Sequence, residues 1–195
     1  MSDLKLIVTA ALEESQQLRS SYVDALQEWL LQASERLAGC FSGGHKVLIC
    51  GNGGSAADSQ HFAAELVVRL TAQFDRPALP AIALSVDTSV LTAAANDYGY
   101  QRIFARQIEA LGDQGDLFIG LSTSGRSANV LAAFATAREQ GLTTLGLFGA
   151  AGPADADLCE LPLLVPHKST MRIQEEHIFA LHLLVELTEA RYFAK

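Results

Sequence analysis

The apolar run Lys46-Val47-Leu48-Ile49-Cys50 passes directly into Gly51-Asn52-Gly53-Gly54-Ser55 and then into Ala56 to Glu65, which carries a helical pattern. A buried strand, a glycine turn and a helix in immediate succession constrain the fold more than any other feature of this chain. The glycines admit backbone conformations that a side chain resists. Ser55 stands where the helix begins, and the free N–H groups and positive dipole end of a helix start suit an anion, so the turn reads as a phosphate cradle. One turn further, His61 and Glu65 stand four residues apart and project from one helix face.

Four more short apolar runs follow, at Ala81–Leu84, Leu117–Leu121, Thr144–Phe148 and Leu161–Val165, each separated from the next by a helical segment. Five strands alternating with helices predict an α/β fold, a doubly wound five-stranded parallel sheet. In such sheets ligands bind beyond the carboxyl ends of the strands. The 195 residues contain no Pro- or Ser-rich linker, so the chain reads as one domain over 1–195. Before the sheet core at 44–195, Leu18, Tyr22, Leu26, Leu30 and Leu37 fall at helical spacing. They predict one or two amphipathic helices over 1–40. Their apolar stripe precedes a core that can close without it, so it is expected to mediate oligomerisation.

The chain carries a net charge of −8, which argues against nonspecific binding to nucleic acid or to membrane surfaces. No apolar run approaches the roughly 20 residues of a membrane span, and acidic residues occupy the N-terminus where a signal peptide is basic and apolar, so a cytoplasmic protein is expected. Cys40, Cys50 and Cys159 lack any CxxC spacing and read as reduced structural thiols.

A second strand-to-helix junction, Leu121-Ser122-Thr123-Ser124-Gly125-Arg126-Ser127-Ala128-Asn129-Val130, precedes a helix expected over Val130–Glu139. Hydroxyls and N–H groups together satisfy phosphate oxygens without a cluster of cations, which suits an acidic chain. The structural alternative is that Ser and Thr only cap the helix and fill the turn. The matching turn at Asn52 to Ser55 favours the binding reading.

These motifs resemble the sugar isomerase domain family and, within it, the phosphoheptose isomerases. The resemblance runs from about Gly44 to the C-terminus. It rests on GNGGSAADSQHFAAEL, LPAIALSVDTSVLTAAANDYG, STSGRSANV and RIQEEHIFALH, four motifs in one order. It implies a homotetramer of parallel-sheet domains with Zn2+ in the site, acting on a phosphosugar substrate by interconverting sedoheptulose 7-phosphate and D-glycero-D-manno-heptose 7-phosphate. It also keeps two alternatives open: an isomerase of another phosphosugar, and a noncatalytic relative that binds the replication initiator. Those noncatalytic relatives lack the acid and terminal histidine that stand here as Glu65 and His182.

An imidazole and a carboxylate are ordinary zinc ligands, although His61 and Glu65 taken alone read sooner as a helix-surface pair. The resemblance adds Gln174 and His182 as the remaining metal ligands, and it implies that Glu65 and His182 serve as catalysts as well. Eight residues of helix span about 12 Å, so Gln174 and His182 converge only if a side chain reaches inward or the helix start loosens. The enediol chemistry needs a base at the carbon next to a carbonyl and a partner acid, roles given to Glu65 and His182. His177 is the rival to His182 and reads as structural. The substrate contacts expected are Asn52, Gly53, Gly54, Ser55, Glu65, Ser122, Thr123, Ser124, Ser127 and Gln174. Arg69 reads equally as a phosphate-steering cation or a solvated ion pair. Asn96-Asp97 read equally as sugar-hydroxyl contacts or ordinary turn residues. His45 and His167 read as surface or capping residues. Three departures from the family pattern, Val68, Ala95 and Gly149-Ala150-Ala151-Gly152-Pro153, leave the proposed catalytic residues in place, and the first two are expected to add methyl groups near the site wall.

Overall fold

The computed structural model describes residues 2–193. Helices α1 (Ser2–Ser21) and α2 (Val23–Ser42) lead into β1 (Val47–Cys50), α3 (Gly54–Val67), β2 (Ala81–Ala83), α4 (Thr88–Tyr98) and α5 (Ala105–Leu111). Next come β3 (Leu117–Ser122), α6 (Ala128–Glu139), β4 (Thr143–Gly149), β5 (Leu161–Val165) and the 23-residue α7 (Thr170–Tyr192). The five strands form one parallel sheet in the order β2-β1-β3-β4-β5. The doubly wound α/β expectation holds, and each strand ends within one residue of the apolar run that announced it.

Strand alternation divides the core into two layers. Val47 and Ile49 of β1, with Leu117, Ile119 and Leu121 of β3, face α2, α3 and α7. Leu48, Cys50 and Phe118 face the layer of α4, α5 and α6. Because helices cover both faces, β1 and β3 are buried at every residue, which is why they read as unbroken apolar runs rather than alternating ones.

The N-terminal stripe is placed differently from its expected use. Leu18, Tyr22, Leu26, Leu30 and Leu37 are all buried in the layer built on α7 and the sheet. Tyr22 donates its hydroxyl to Glu176 on α7, and Trp29 donates Nε1 to the carbonyl of Leu161 on β5. Helix α2 therefore closes the protomer's own core, because without it the sheet face under β4 and β5 would lie open. The apolar residues left outside are on α1: Leu4, Leu6, Ile7, Val8 and Leu12 are 59–68% exposed. Cys40, Cys50 and Cys159 are buried and unpaired, and burial pushes the Cys40 and Cys159 thiols up to about 12, so they are inert packing groups. Among the described residues, no helix is long and apolar enough to cross a membrane.

Candidate functional site

In the strand order β2-β1-β3-β4-β5 the winding direction reverses between β1 and β3, which is where an open parallel sheet forms its ligand crevice. Both glycine-and-hydroxyl junctions flank that crevice. After β1, Gly53 adopts φ 56° and ψ −121°, a conformation that only glycine holds without strain. Gly54 opens α3, and a Cβ there would strike the Gln174 amide at 2.4 Å. Ser55 is buried, and Ser59 donates its hydroxyl to the Ser55 carbonyl.

After β3, Ser122 donates its hydroxyl to Ser127 at 3.0 Å, and the Ser124 hydroxyl accepts from the Arg126 N–H at 3.2 Å. Ser127 occupies the N-cap position of α6 but makes no side-chain capping bond. Helix capping therefore does not account for its hydroxyl. Gly125 has φ 66°, and its Cα lies so close to the Gly152 carbonyl that an added Cβ would fall 1.7 Å from that oxygen. Ala154 donates its N–H to the Gly125 carbonyl. The Gly149–Pro153 turn, which departs from the family pattern, thus forms the floor beneath the Ser122–Ser127 loop.

Two residues outside the expected set join these loops. Asn129 exchanges two amide hydrogen bonds with Asn52, at 2.9 and 2.8 Å, and Tyr100 donates its hydroxyl to the side-chain Oδ1 of Asn52 at 3.0 Å. Asn129 stood in view within STSGRSANV. What lacked a sequence signal was its pairing with Asn52, 77 positions away.

Further along α3 lies the titratable cluster. Nε2 of His61 is 3.0 Å from Nε2 of His182, and both face Oε1 of Glu65, at 3.1 and 3.3 Å. Helical spacing brings His61 and Glu65 together, and packing of α7 against α3 delivers His182. The Glu65 side chain is 11% exposed, whereas those of His61 and His182 are 53% and 43% exposed. Burial raises the Glu65 pKa, while the adjacent histidines pull it the other way. The second oxygen of Glu65 is buried and has no hydrogen-bond partner among the described residues.

Two imidazole nitrogens and a carboxylate oxygen, all able to accept, meet at separations near the about 3.4 Å expected between tetrahedral ligands of a zinc-sized ion. The three residues form a group able to hold a metal ion. Gln174 lies two turns up α7, with its Nε2 donating to Oδ1 of Asp58 at 3.4 Å. Burial raises the pKa of Asp58, and the Gln174 bond opposes that shift.

The remaining expected residues make their contacts elsewhere in the protomer. Arg69 lies beyond the end of α3, 3.9 Å from Asp75. Asn96 and Asp97 sit in the last turn of α4, where the Asn96 amide donates to the Asp97 carboxylate at 2.7 Å. Val68 is exposed, and Ala95 packs on the α4–α6 core layer. His177 is buried, with Nε2 donating to the Phe148 carbonyl at 3.3 Å. Burial lowers its pKa to about 4. It is a neutral core histidine with no access to the cluster. His167 pairs with Glu14 at 3.4 Å, and His45 lies 3.7 Å from Asp116.

A family model described as the SIS domain matches residues 12–149. The phosphoheptose isomerase of Trichlorobacter lovleyi is 52% identical over 162 residues, covering 83% of this chain and 82% of that relative. The chain belongs to the phosphoheptose isomerase family of SIS-domain proteins. A second member of this family, from Desulfovibrio desulfuricans, is 49% identical over 194 residues, 99% of this chain and 91% of the relative. Among solved structures, the phosphoheptose isomerase of Neisseria gonorrhoeae superimposes with a TM-score of 0.88 at 40% identity, covering 96% of this chain and 99% of that one. That of Francisella tularensis gives a TM-score of 0.90 at 35% identity over 96% and 98% of the two chains. The family model extends over strands β1 to β4, both glycine junctions and α3.

Proposed function

We propose that this chain is a cytoplasmic aldose-ketose isomerase that converts sedoheptulose 7-phosphate to D-glycero-D-manno-heptose 7-phosphate, a precursor of lipopolysaccharide or other surface carbohydrate. The observation that carries the reading is the meeting of His61, Glu65 and His182 within 3.0–3.3 Å of one another. Moving a proton between neighbouring carbons of a sugar requires a carboxylate that can accept it and a partner that can return one, and a carboxylate beside imidazoles has that tunable basicity. Glu65, with its proton affinity raised by burial, takes the proton from the carbon beside the carbonyl, and His182 serves as its partner. The phosphate end is held by Asn52 to Ser55 and by Ser122, Thr123, Ser124 and Ser127. The axial distance from Gln174 down α7 to His182 is about 12 Å, comparable to the length of an extended seven-carbon sugar phosphate.

Zn2+ is the metal proposed for the cluster, held by His61, Glu65 and His182, with Gln174 joining if its amide leaves Asp58. When bound it supplies a Lewis acid beside the sugar oxygens. Arg69, Asn96 and Asp97 enter this reading only as contacts made outside the protomer's own cluster. A homotetramer offers such contacts, and the exposed apolar face of α1 supports association. The test is incubation of zinc-loaded protein with sedoheptulose 7-phosphate, followed by NMR of the anomeric protons. Appearance of the aldose product supports the proposal. A metal-loaded, folded protein that leaves the ketose unchanged overturns it.

A further inference from the structure

The loop between α3 and β2 buries one cation. The Arg76 side chain is 1% exposed. Its Nε donates to Oε1 of Glu189 at 2.6 Å, Nη1 donates to the carbonyls of Leu66 at 2.8 Å and Pro77 at 3.0 Å, and Nη2 donates to the carbonyl of Glu65 at 2.8 Å. Glu65 and Leu66 lie in the last turn of α3, where carbonyls have no partner within the helix. The guanidinium bonds both, that of Leu66 also accepting from the Leu79 N–H, and it places a positive charge at the negative end of the helix dipole. Glu189 stands on α7 seven residues beyond His182, two turns along and therefore on the same side of that helix.

One planar group thus holds the last turn of α3 with two of its nitrogens, one on the carbonyl of Glu65 and one on that of Leu66, and the helix of His182 with a third. A buried ion pair is weak evidence for stability, since well-packed apolar residues often do as well. Stability alone does not account for a guanidinium whose donors are directed at this carbonyl and this carboxylate. A site built from side chains on two helices works only if the helices stay in register, because a misplacement of about 1 Å can cost about 10²-fold in rate.

We propose that Arg76, paired with Glu189, is a positioning residue that fixes Glu65 and His61 on α3 relative to His182 on α7. This rests on the reading of the three residues as the reacting cluster. Arg76 touches no substrate and is not itself catalytic. Lysine at this position keeps the charge opposite Glu189 but cannot span the two carbonyls at the same time, because it lacks the planar fork.

The test compares Arg76→Lys with Ile108→Ala, a core truncation in α5 within the opposite layer, with thermal midpoints measured for both. In the metal-free proteins, the imidazole 15N–1H resonances of His61 and His182 report the geometry of the cluster directly. Both are expected to move in Arg76→Lys and to stay in place in Ile108→Ala. With zinc and sugar phosphate, kcat of Arg76→Lys falls at least tenfold while KM stays within twofold. Should Arg76→Lys not fold, the double variant Arg76→Met/Glu189→Met removes both charges at once and is read in the same way. Unmoved resonances in a folded variant overturn the inference. So do resonances that move equally in Ile108→Ala, because the effect would then be general destabilisation. A wild-type chain inactive on the sugar phosphate would sink the functional reading instead, and the resonance comparison, which needs neither substrate nor metal, would still decide the positioning role.

Discussion

Asn52 and Asn129 exchange two amide hydrogen bonds, at 2.9 and 2.8 Å, and so tie the turn after β1 to the first residues of α6 across the switch point of the sheet. Asn129 is buried, and its side-chain oxygen also accepts from the N–H of Val130. Asn129→Ala leaves the Asn52 amide without its partner, at a cost of about 1–2 kcal/mol in stability. The two phosphate-facing turns also lose their fixed spacing, so KM for the sugar phosphate should rise by about tenfold, equivalent to about 1.4 kcal/mol of binding. Asn129→Asp should raise KM further, because it places a negative charge beside the anion cradle. Steady-state kinetics with a thermal melt for each variant checks both expectations.

Ser124 is exposed at the tip of the second turn, its hydroxyl accepting from the Arg126 N–H. Replacing it with Ala removes one donor to the phosphate, and replacing it with Asp sets a like charge there. Both variants should keep the wild-type melting temperature within a degree or two and raise KM, the Asp variant more. Michaelis constants unchanged in both would remove the Ser122–Ser127 loop from the phosphate site.

The sheet was legible because a strand buried on both faces has no polar alternation to obscure it. Val47–Cys50 and Leu117–Ser122 are buried throughout, and the glycines that end such runs mark the turns. His61 and Glu65 were legible for the same local reason, since four residues of helix bring them to one face. Contacts set by packing of distant elements were not. Nothing near Leu18 to Leu37 says that α7 will cover the stripe, and Arg76 reads as an ordinary loop residue until Glu189 arrives from 113 positions away. The turn alternative for Asn96 and Asp97 rested on the Asn-Asp-Tyr-Gly sequence, but Asp87 caps a helix by accepting from the Val90 N–H, and that helix runs on to Tyr98. The capping aspartate was a readable signal.

His177 makes stability depend on pH in a definite direction. Its pKa falls from an ordinary 6.5 to about 4 because burial disfavours the charged ring. The unfolded chain therefore binds this proton more tightly than the folded one. The contribution from this residue is fully present above pH 6.5, is lost as pH falls from 6.5 towards 4, and is constant below that; it amounts to about 3 kcal/mol in all. His177→Gln, whose amide can still donate to the Phe148 carbonyl, should flatten the stability profile between pH 4.5 and 6.5. Urea melts across that range on both proteins measure it, and parallel profiles would contradict the assignment.

Leu4, Ile7, Val8 and Leu12 on α1 are exposed among the described residues and are expected to be buried between copies in the proposed homotetramer. Light scattering at micromolar protein should give four times the chain mass, and the double variant Ile7→Lys/Leu12→Lys should reduce it while leaving the far-ultraviolet circular dichroism intact. A wild-type monomer at that concentration would sink the expectation.

Glu65 provides the sharpest test, because its Oε1 meets both histidines while its other oxygen is buried and unpartnered among the described residues. Glu65→Gln preserves the shape and leaves an oxygen that can still face the histidines, but an amide cannot take a proton from carbon as a carboxylate does. Turnover should fall by about 10²–10⁴-fold, as for a lost general base, with the fold and assembly retained. His61→Ala should behave differently, lowering metal content first, with activity lost in proportion and partly restored by excess metal. Measuring bound metal and turnover on the same preparations separates the two roles. If Glu65→Gln retained near-normal turnover with metal bound, the proton acceptor would have to be His182, the one other proposed catalyst within reach of the same point.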